Sequence, residues 1–231
     1  MDMPTLVQAI FGRGQAKLKR LLKDYPPYQA PHSQEPFSLT IEQAYANLNY
    51  LIAEKANRLV IYGELLRKFG LDLDEGLHNA SPEAFLRDLH AWAYKHWPEV
   101  YEPHLARKDI WLNSKRDGDH IVFSMLMDTA IALGEIVVKH RPRTYWGLDL
   151  SNSSWRLRYV SYQRPVLLGV PDPYQNNAFM ALDFENTAFF HYSNILATPQ
   201  PAQPLGVKVL YALREEETLT QDPAGLFGRR A

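Results

Sequence analysis

The 231-residue sequence contains no cysteine. This absence excludes disulfides, thiolate metal sites and a cysteine nucleophile. The sequence also lacks an excess of charge of either sign, because 25 lysines and arginines stand against 26 aspartates and glutamates. A chain with so little net charge has no general electrostatic attraction to nucleic acids, so we expect no nucleic-acid partner.

Long hydrophobic runs are also missing. A transmembrane helix needs about 20 consecutive apolar residues, and the most apolar stretch, residues 119–140, is interrupted by Asp128 and Glu135. The N-terminus does not match a secretory signal, because Asp2 stands where basic residues are expected and residues 5–11 are short and polar for an apolar region. We therefore expect a cytoplasmic protein without a transmembrane segment.

The motifs of several enzyme classes are absent too. The sequence has no G-x-S-x-G elbow, no G-x-x-x-x-G-K-[ST] phosphate loop and no H-E-x-x-H zinc motif. His90, His96 and His104 are the closest group of histidines, but their spacing matches no zinc site, and Pro98 and Pro103 interrupt any common helix face. We therefore assign no catalytic residue and predict no metal and no cofactor.

Two segments in the first half combine helical periodicity with a helix start signal. Residues 41–69 follow Thr40 and Gln43, which form a capping box at the first positions of a helix. Residues 82–97 follow Ser81, a favourable N-cap residue. Both segments are predicted helices.

A third segment, residues 119–140, is apolar on nearly every side. A helix of this kind belongs at the centre of a domain, where all its faces contact other elements. We therefore predict that it is the most buried element, with a core formed by Leu126, Ile131 and Leu133.

Beyond Pro142 the pattern changes from helical periodicity to alternation. The predicted strands are residues 145–150, 155–161, 165–170 and 178–182. In the second of these, apolar residues alternate with arginines, which is typical of a half-buried antiparallel strand.

These elements predict one α+β domain over residues 1–231, in which a mainly helical N-terminal two-thirds packs on a small antiparallel sheet. Residues 1–38 would add an N-terminal helix and a proline-rich strap, and residues 218–231 a flexible tail. Residues 186–197 fit a helix better than a strand, and residues 205–214 fit either state.

Asp128 and Glu135 are seven residues apart, so they lie on nearly the same face of the apolar helix. Two acids placed in this way could act as general acid and base, or bind a cation. In the alternative, which is usual for buried carboxylates, Asp128 caps a neighbouring loop and Glu135 pairs with Lys139. We expect Glu135 to be buried and paired, with Tyr145 or an arginine of residues 156–164 as more distant candidates.

Aromatic residues and arginines cluster in the predicted strands. Strand aromatics usually pack in a core. If they are exposed on one sheet face, they would form a protein-binding surface, because tryptophan, tyrosine and arginine are enriched at interface hot spots. The candidate binding residues are Trp146, Trp155, Arg156, Arg158 and Tyr159.

Three short segments carry a resemblance to a known group of proteins. They are residues 128–135 (DTAIALGE), 145–147 (YWG) and 164–167 (RPVL). A helix with a Leu-Gly-Glu segment, followed by a Trp-bearing strand and a Pro-Val-Leu strand, resembles the layout of small bacterial proteins of the toxin-immunity type. The resemblance implies a non-enzymatic protein and carries over no catalytic residue.

Three functional hypotheses follow. The first is a protein-binding protein, such as an immunity-type inhibitor of a toxin. The second is an enzyme with an acidic cleft around Asp128 and Glu135, and the third is a structural or assembly subunit that docks through its N-terminal helix. The missing catalytic motifs, the balanced charge and the aromatic strands favour the first.

Overall fold

The computed structural model describes residues 17–172, 179–197 and 203–213. The helices are α1 (Lys17–Leu22), α2 (Ile41–Arg67), α3 (Leu73–His78), α4 (Glu83–His96), α5 (Lys108–Leu112), α6 (Val122–His140), α7 (Asn152–Arg156), α8 (Phe184–Ser193) and α9 (Val207–Leu213). The strands are β1 (Tyr145–Leu148), β2 (Pro165–Pro171) and β3 (Phe179–Leu182). Helices dominate the N-terminal part and the strands form one antiparallel sheet, so the predicted single-domain α+β fold is confirmed.

Helix α2 begins as the sequence predicts. The Thr40 hydroxyl accepts a hydrogen bond from the Gln43 amide at 3.3 Å, and the Gln43 side chain accepts one from the Thr40 amide at 2.9 Å. The helix ends at Arg67, and Gly70 follows with a φ of +82°, a conformation that glycine adopts without steric penalty. The capping box therefore sets the start of the longest helix.

Helix α4 begins one residue later than predicted. Pro82 is its N-cap, and the Ser81 hydroxyl donates to the Glu83 carboxylate instead of accepting a hydrogen bond from the helix backbone. The helix ends at His96, and residues 97–100 continue as a short 3-10 turn.

Helix α6 lies at the centre of the domain. All of its residues from 122 to 137 are buried, and the predicted core residues Leu126, Ile131 and Leu133 are completely inaccessible. By length and composition, Gly118–His140 is apolar enough to cross a membrane, with a mean hydropathy of 1.9, but 89% of its most apolar window is buried inside the domain. The core helix of a soluble protein has the same properties, and here α6 contacts α2, α8 and α9.

The sheet has the strand order β1-β2-β3. Trp146 pairs with Leu167, and Leu167 pairs with Leu182, so these buried side chains form the inner face. Helix α2 contacts both β1 and β2. Tyr145 and Phe179 are exposed on the opposite face, which no described helix covers at these positions. The predicted strands at 145–150, 165–170 and 178–182 therefore correspond to β1, β2 and β3.

The proline-rich segment at residues 24–38 is an extended strap, as predicted, that includes one 3-10 turn at its end. Tyr25 and Tyr28 are buried, and the Tyr28 amide donates to the Ser124 hydroxyl of α6 at 2.8 Å. The strap is thus fastened to the central helix.

The terminal segments that the sequence left open are helical where they are described. Helix α8 covers most of residues 186–197, and α9 covers most of residues 205–214. At the other end, α1 buries Leu18 and Leu22 in the core. Residues 1–16 of the predicted N-terminal segment and the predicted tail at 218–231 lie outside the described residues.

Candidate functional site

Asp128 lies at the domain centre with no exposed surface. Arg58 of α2 donates to its two carboxylate oxygens, from Nε at 2.8 Å and from Nη2 at 2.5 Å, and the Tyr25 hydroxyl donates to Oδ2 at 2.5 Å. The same guanidinium donates to the carbonyl oxygens of Pro26 and Pro27 in the strap. Burial raises the pKa of Asp128 to about 6, although Arg58 and Tyr25 act in the opposite direction. The Asp128 carboxylate therefore links α6 to α2 and to the strap. The group that caps the carbonyl oxygens of the strap is Arg58.

Glu135 is buried and paired, as predicted, but the predicted partners are wrong. Lys55 of α2 binds both carboxylate oxygens, at 2.8 and 2.9 Å, and the Trp146 indole donates to Oε1 at 2.7 Å. Lys139 and Tyr145 are both exposed instead. The partner comes from another helix, so the spacing of residues along α6 does not reveal it.

Asp128 and Glu135 do share one face of α6, but that face packs against α2. Their partners Arg58 and Lys55 are neighbours on one face of α2, so each acid meets a cation across the helix contact. Neither carboxylate lines the groove or the cavity described below. Among the described residues, both acids of the alternative site are therefore held in the contact between α6 and α2.

Trp146, a predicted binding residue, is only 8% exposed. Its ring lies against Gly134, where a Cβ atom would come within 2.2 Å of the indole carbon Cζ2. Since its N–H group donates to Glu135, the Leu-Gly-Glu and Trp segments form one packed unit between α6 and β1. Trp146 packs on the inner face of the sheet against α6, so its side chain is not available to a partner.

The predicted strand at residues 155–161 is wrong, because this part of the chain folds locally. The Ser151 hydroxyl accepts from the Ser154 amide at 3.2 Å and caps α7. Asp149 accepts from the hydroxyls of Ser154 and Ser161, both at 2.6 Å. Burial acts to raise the pKa of Asp149, but these serine hydrogen bonds outweigh burial and lower it. Residues 149–162, which we call the excursion, therefore leave the sheet after β1 and return at β2.

The excursion exposes the side chains that alternation had placed in a strand. Trp155 is 55% exposed and Tyr159 is 52% exposed. The outer face of the sheet adds further apolar side chains, of which Phe179 is 72% exposed. We define the aromatic–arginine surface as the exposed residues Arg143, Tyr145, Leu150, Trp155, Arg156, Leu157, Arg158, Tyr159 and Phe179.

An open groove of about 890 Å³ lies between the excursion and the outer face of the sheet. Tyr145 and Leu168 contribute its wall on β1 and β2, Phe179 contributes on β3, and Leu150 and Tyr159 contribute from the excursion. The groove is thus lined by part of the aromatic–arginine surface, and sequence reasoning missed it because it depends on the excursion leaving the sheet.

A buried ion cluster is a second feature that sequence reasoning missed. Glu185 accepts from Arg164 at 2.6 Å and from the Trp111 indole at 2.9 Å, and Arg116 lies 2.7 Å away. Burial acts to raise the pKa of Glu185, but the two arginines and the hydrogen bonds lower it. The cluster adjoins a cavity of only about 60 Å³. The cluster joins α5, α8 and Arg164, the residue that precedes β2. Arg164 is buried and is therefore not part of the aromatic–arginine surface.

The histidines do not converge on a metal site. His96 Nδ1 lies 2.7 Å from Glu99, and His104 lies 3.6 Å from Glu102, so each meets a different carboxylate. Within residues 17–172, 179–197 and 203–213, no group of three or more histidines and acids is placed to hold a metal ion.

Comparison of the chain with family models, curated proteins and solved structures found no match. The aromatic–arginine surface and its groove are the features of the described residues that bear most directly on function.

Proposed function

We propose that this protein is a non-enzymatic protein-binding protein and that its partner binds to the aromatic–arginine surface. The exposure of large apolar side chains along the excursion and the outer sheet face carries the proposal. Contiguous apolar areas on soluble proteins commonly mark interaction sites. Tryptophan, tyrosine and arginine, which recur in this surface, are the residues that dominate binding energy at interfaces.

The two other hypotheses have less support. Asp128 and Glu135 are each held by a cation and by a second hydrogen-bond donor, so neither is placed to exchange a proton with a substrate. Leu18 and Leu22 of α1 are already buried in the domain, so the described part of the N-terminal helix has few apolar side chains left for docking.

The finer form of the proposal is an immunity-type inhibitor that binds a bacterial toxin in the cytoplasm. The resemblance over residues 128–135, 145–147 and 164–167 supports it. In the fold, Gly134, Glu135 and Trp146 from these segments pack together behind the sheet face that carries Tyr145. A rigid support of this kind lowers the conformational entropy that binding costs.

Co-expression with the toxin encoded beside the gene tests this proposal. The test variant is Trp155→Ala/Tyr159→Ala. The control is Tyr45→Ala/Phe190→Ala, which removes two exposed aromatics (47% and 53%) that are not part of the aromatic–arginine surface. We expect the wild type and the control to protect cells and to bind the purified toxin. The test variant should bind at least about 30-fold more weakly, because one hot-spot residue contributes about 2 kcal/mol or more.

Thermal melts of all three proteins verify that the substitutions leave the fold intact. A test variant that binds as tightly as the wild type would contradict the assignment of the surface. A wild-type protein that neither protects cells nor binds the toxin would contradict the immunity-type form of the proposal.

A further inference from the structure

The exposed side of α2 lacks charge over most of its length. Between Glu42 and Glu64, every exposed residue of the helix is uncharged. These residues are Tyr45, Asn49, Ile52, Ala53, Ala56, Asn57 and Val60. A surface helix normally carries charged side chains on the face opposite the core. Depletion of charge is instead typical of the centre of a protein–protein interface.

The charged residues that do occur in this span of α2 are turned to other sides of the helix. Arg58 is buried, and Lys55 binds Glu135 across the contact with α6. Glu54 is only partly exposed. The uncharged face is therefore continuous from one end of the helix to the other.

Most of the uncharged residues form one stripe along α2. At about 100° per residue, they fall within about 120° of the helix circumference. We define the α2 stripe as Ile41, Tyr45, Asn49, Ile52, Ala53, Ala56 and Val60. Ile52 is 48% exposed and Val60 is 61% exposed. A contiguous apolar area of this kind commonly marks an interaction site, and the α2 stripe shares no residue with the aromatic–arginine surface.

The α2 stripe is complementary to itself when two copies of α2 run antiparallel. If the pair is centred midway between Tyr45 and Val60, Tyr45 lies at the level of Val60 of the second copy. Ile52 and Ala53 of both copies then meet beside the two-fold axis. Ala53 and Ala56 are small, so the two helices can approach closely at the centre of the contact.

The charges at the two ends of the α2 stripe favour antiparallel over parallel pairing. Glu42 and Arg67 are exposed at opposite ends of the helix. In the antiparallel pair, Arg67 lies within about 6 Å, or one helical turn, of the level of Glu42 of the second copy. Glu64 lies near the N-terminus of the second helix, where negative charge is stabilised. A parallel pair would instead bring like charges together at both ends, which is unfavourable.

We infer that the α2 stripe binds the same stripe of a second copy of this chain, as an antiparallel helix pair with two-fold symmetry. Such a contact uses one surface twice and closes at the dimer. One helix from each copy gives a contact at the small end of specific interfaces, below about 1,200 Å². The inference does not depend on the proposed function.

Sedimentation equilibrium of the full chain between about 1 and 500 µM measures the association. We expect a monomer–dimer equilibrium with a Kd on the order of 10 µM. Ile52→Glu should weaken the dimer about 100-fold or more, because two carboxylates then meet at the centre of the contact. The matched control is Leu157→Glu, which places the same charge on an exposed leucine outside the α2 stripe and should dimerise like the wild type.

Cross-linking tests the direction of the pair, and the absence of native cysteine makes it specific. Ala53→Cys places a thiol beside the two-fold axis, so a short bis-maleimide reagent should link the two copies. In the antiparallel pair, Tyr45→Cys places the two thiols about 22 Å apart along the helices. This variant should not cross-link, whereas in a parallel pair it would link as readily as Ala53→Cys.

Charge reversal tests the two ends of the pair. Arg67→Glu should weaken the dimer about fivefold, because two exposed ion pairs are lost. Glu42→Arg/Arg67→Glu exchanges the two charges within each chain, so it should restore the affinity of the wild type.

The outcomes decide the inference separately from the proposed function. A monomer at every concentration, or a dimer that Ile52→Glu leaves intact, would overturn it. Cross-linking of Tyr45→Cys, or dissociation by Leu157→Glu, would also overturn it, because the copies would then meet in another arrangement. Thermal melts verify that each variant is folded. Since Tyr45 belongs to the α2 stripe, Tyr45→Ala/Phe190→Ala should dimerise more weakly and still bind the toxin.

Discussion

At the scale of single residues, the pairing of buried charges determines which elements meet. Asp128, Glu135 and Glu185 are buried, and each contacts an arginine or lysine from a different element. Removing one partner of a buried pair typically costs about 3–5 kcal/mol, because the other charge is left uncompensated. An arrangement of α2, α6, α8 and the start of β2 that separated these pairs would therefore be strongly disfavoured.

His191 differs from these acids because it is buried without a compensating charge. Its side chain is 3% exposed, and Nδ1 has no hydrogen-bond partner among the described residues. Burial lowers its pKa to about 4, and the nearby His90 and Lys208 act in the same direction. An unfolded histidine has a pKa near 6.5, so between these two values the unfolded chain binds more protons than the folded protein. The contribution of His191 to stability is therefore complete above about pH 6.5 and is lost as the pH falls toward 4.

We expect acidification from about pH 7 to 4 to lower the free energy of unfolding by about 3 kcal/mol more in the wild type than in His191→Phe. Chemical denaturation at a series of pH values measures this difference. The raised pKa of Asp128 acts in the opposite direction but is present in both proteins, so it cancels in the comparison. The exposed His78 provides the control His78→Phe, which should follow the wild type. Equal declines in the wild type and His191→Phe would rule out this histidine as the source of acid sensitivity.

At the scale of elements, the sequence predicts what local patterns determine. Apolar periodicity and end signals locate α2, α4 and α6 with ends that agree within three residues. The prediction of a strand at residues 155–161 is wrong because the alternation from Trp155 to Tyr159 competes with the local structure of the excursion, which includes α7. Asp149 and its serine partners close the excursion through side-chain hydrogen bonds, and such bonds offer the chain an alternative to a ladder of strands. The sequence signal that could have indicated this local structure is Ser151, which is the N-cap residue of α7.

The candidate site was only partly predictable for a related reason. Exposure of Trp155 and burial of Trp146 depend on which residues remain in the sheet, and alternation alone does not decide that. The burial of Glu135 follows from its apolar neighbours in α6. Its partner Lys55 is 80 positions away, and nothing in a single sequence links two such residues.

The contact of Glu135 with Lys55 and Trp146 joins α6 to α2 and β1, so its loss should weaken all three elements. In Glu135→Gln the amide oxygen still accepts from the indole, but the charge that binds Lys55 is gone. We expect a loss of about 1.5–3 kcal/mol, which is usual for a hydrogen bond to a charged group. This is less than for a fully buried pair, because the Lys55 side chain is 28% exposed and water can solvate its charge. For a domain of this size, this lowers the melting temperature by about 2–4 °C per kcal/mol.

Thermal melts of Glu135→Gln measure this loss, and the exposed Glu64 provides the control Glu64→Gln, which should melt like the wild type. In a cycle with Lys55→Met, the two substitutions should be less costly together than the sum of their separate effects, because they remove one shared interaction. A melting temperature that stays the same or rises in Glu135→Gln would contradict the structural role and favour the acidic-cleft enzyme, since active sites often trade stability for function.

At the scale of the whole molecule, the change from helices to strands near Pro142 is not a boundary between domains. Helix α2 contacts β1 and β2 as well as α6, so the helical part and the sheet share one core. Helix α8 follows β3 in the chain and packs against α6. Loss of packing in α6 should therefore lower the stability of the elements on both sides of residue 142.

Leu133→Ala tests this unity, because Leu133 is completely buried in α6. Truncating a buried leucine to alanine typically costs about 2–5 kcal/mol, through lost apolar contact and the cavity that remains. Native-state hydrogen exchange reports the free energy of opening separately for amides of α2 and of β2. If the domain unfolds as one unit, the most protected amides of both elements should lose the same amount of free energy in the variant. Loss of protection in α2 with no change in β2 would mean that the sheet folds independently of the helices, and the single-domain assignment would then be wrong.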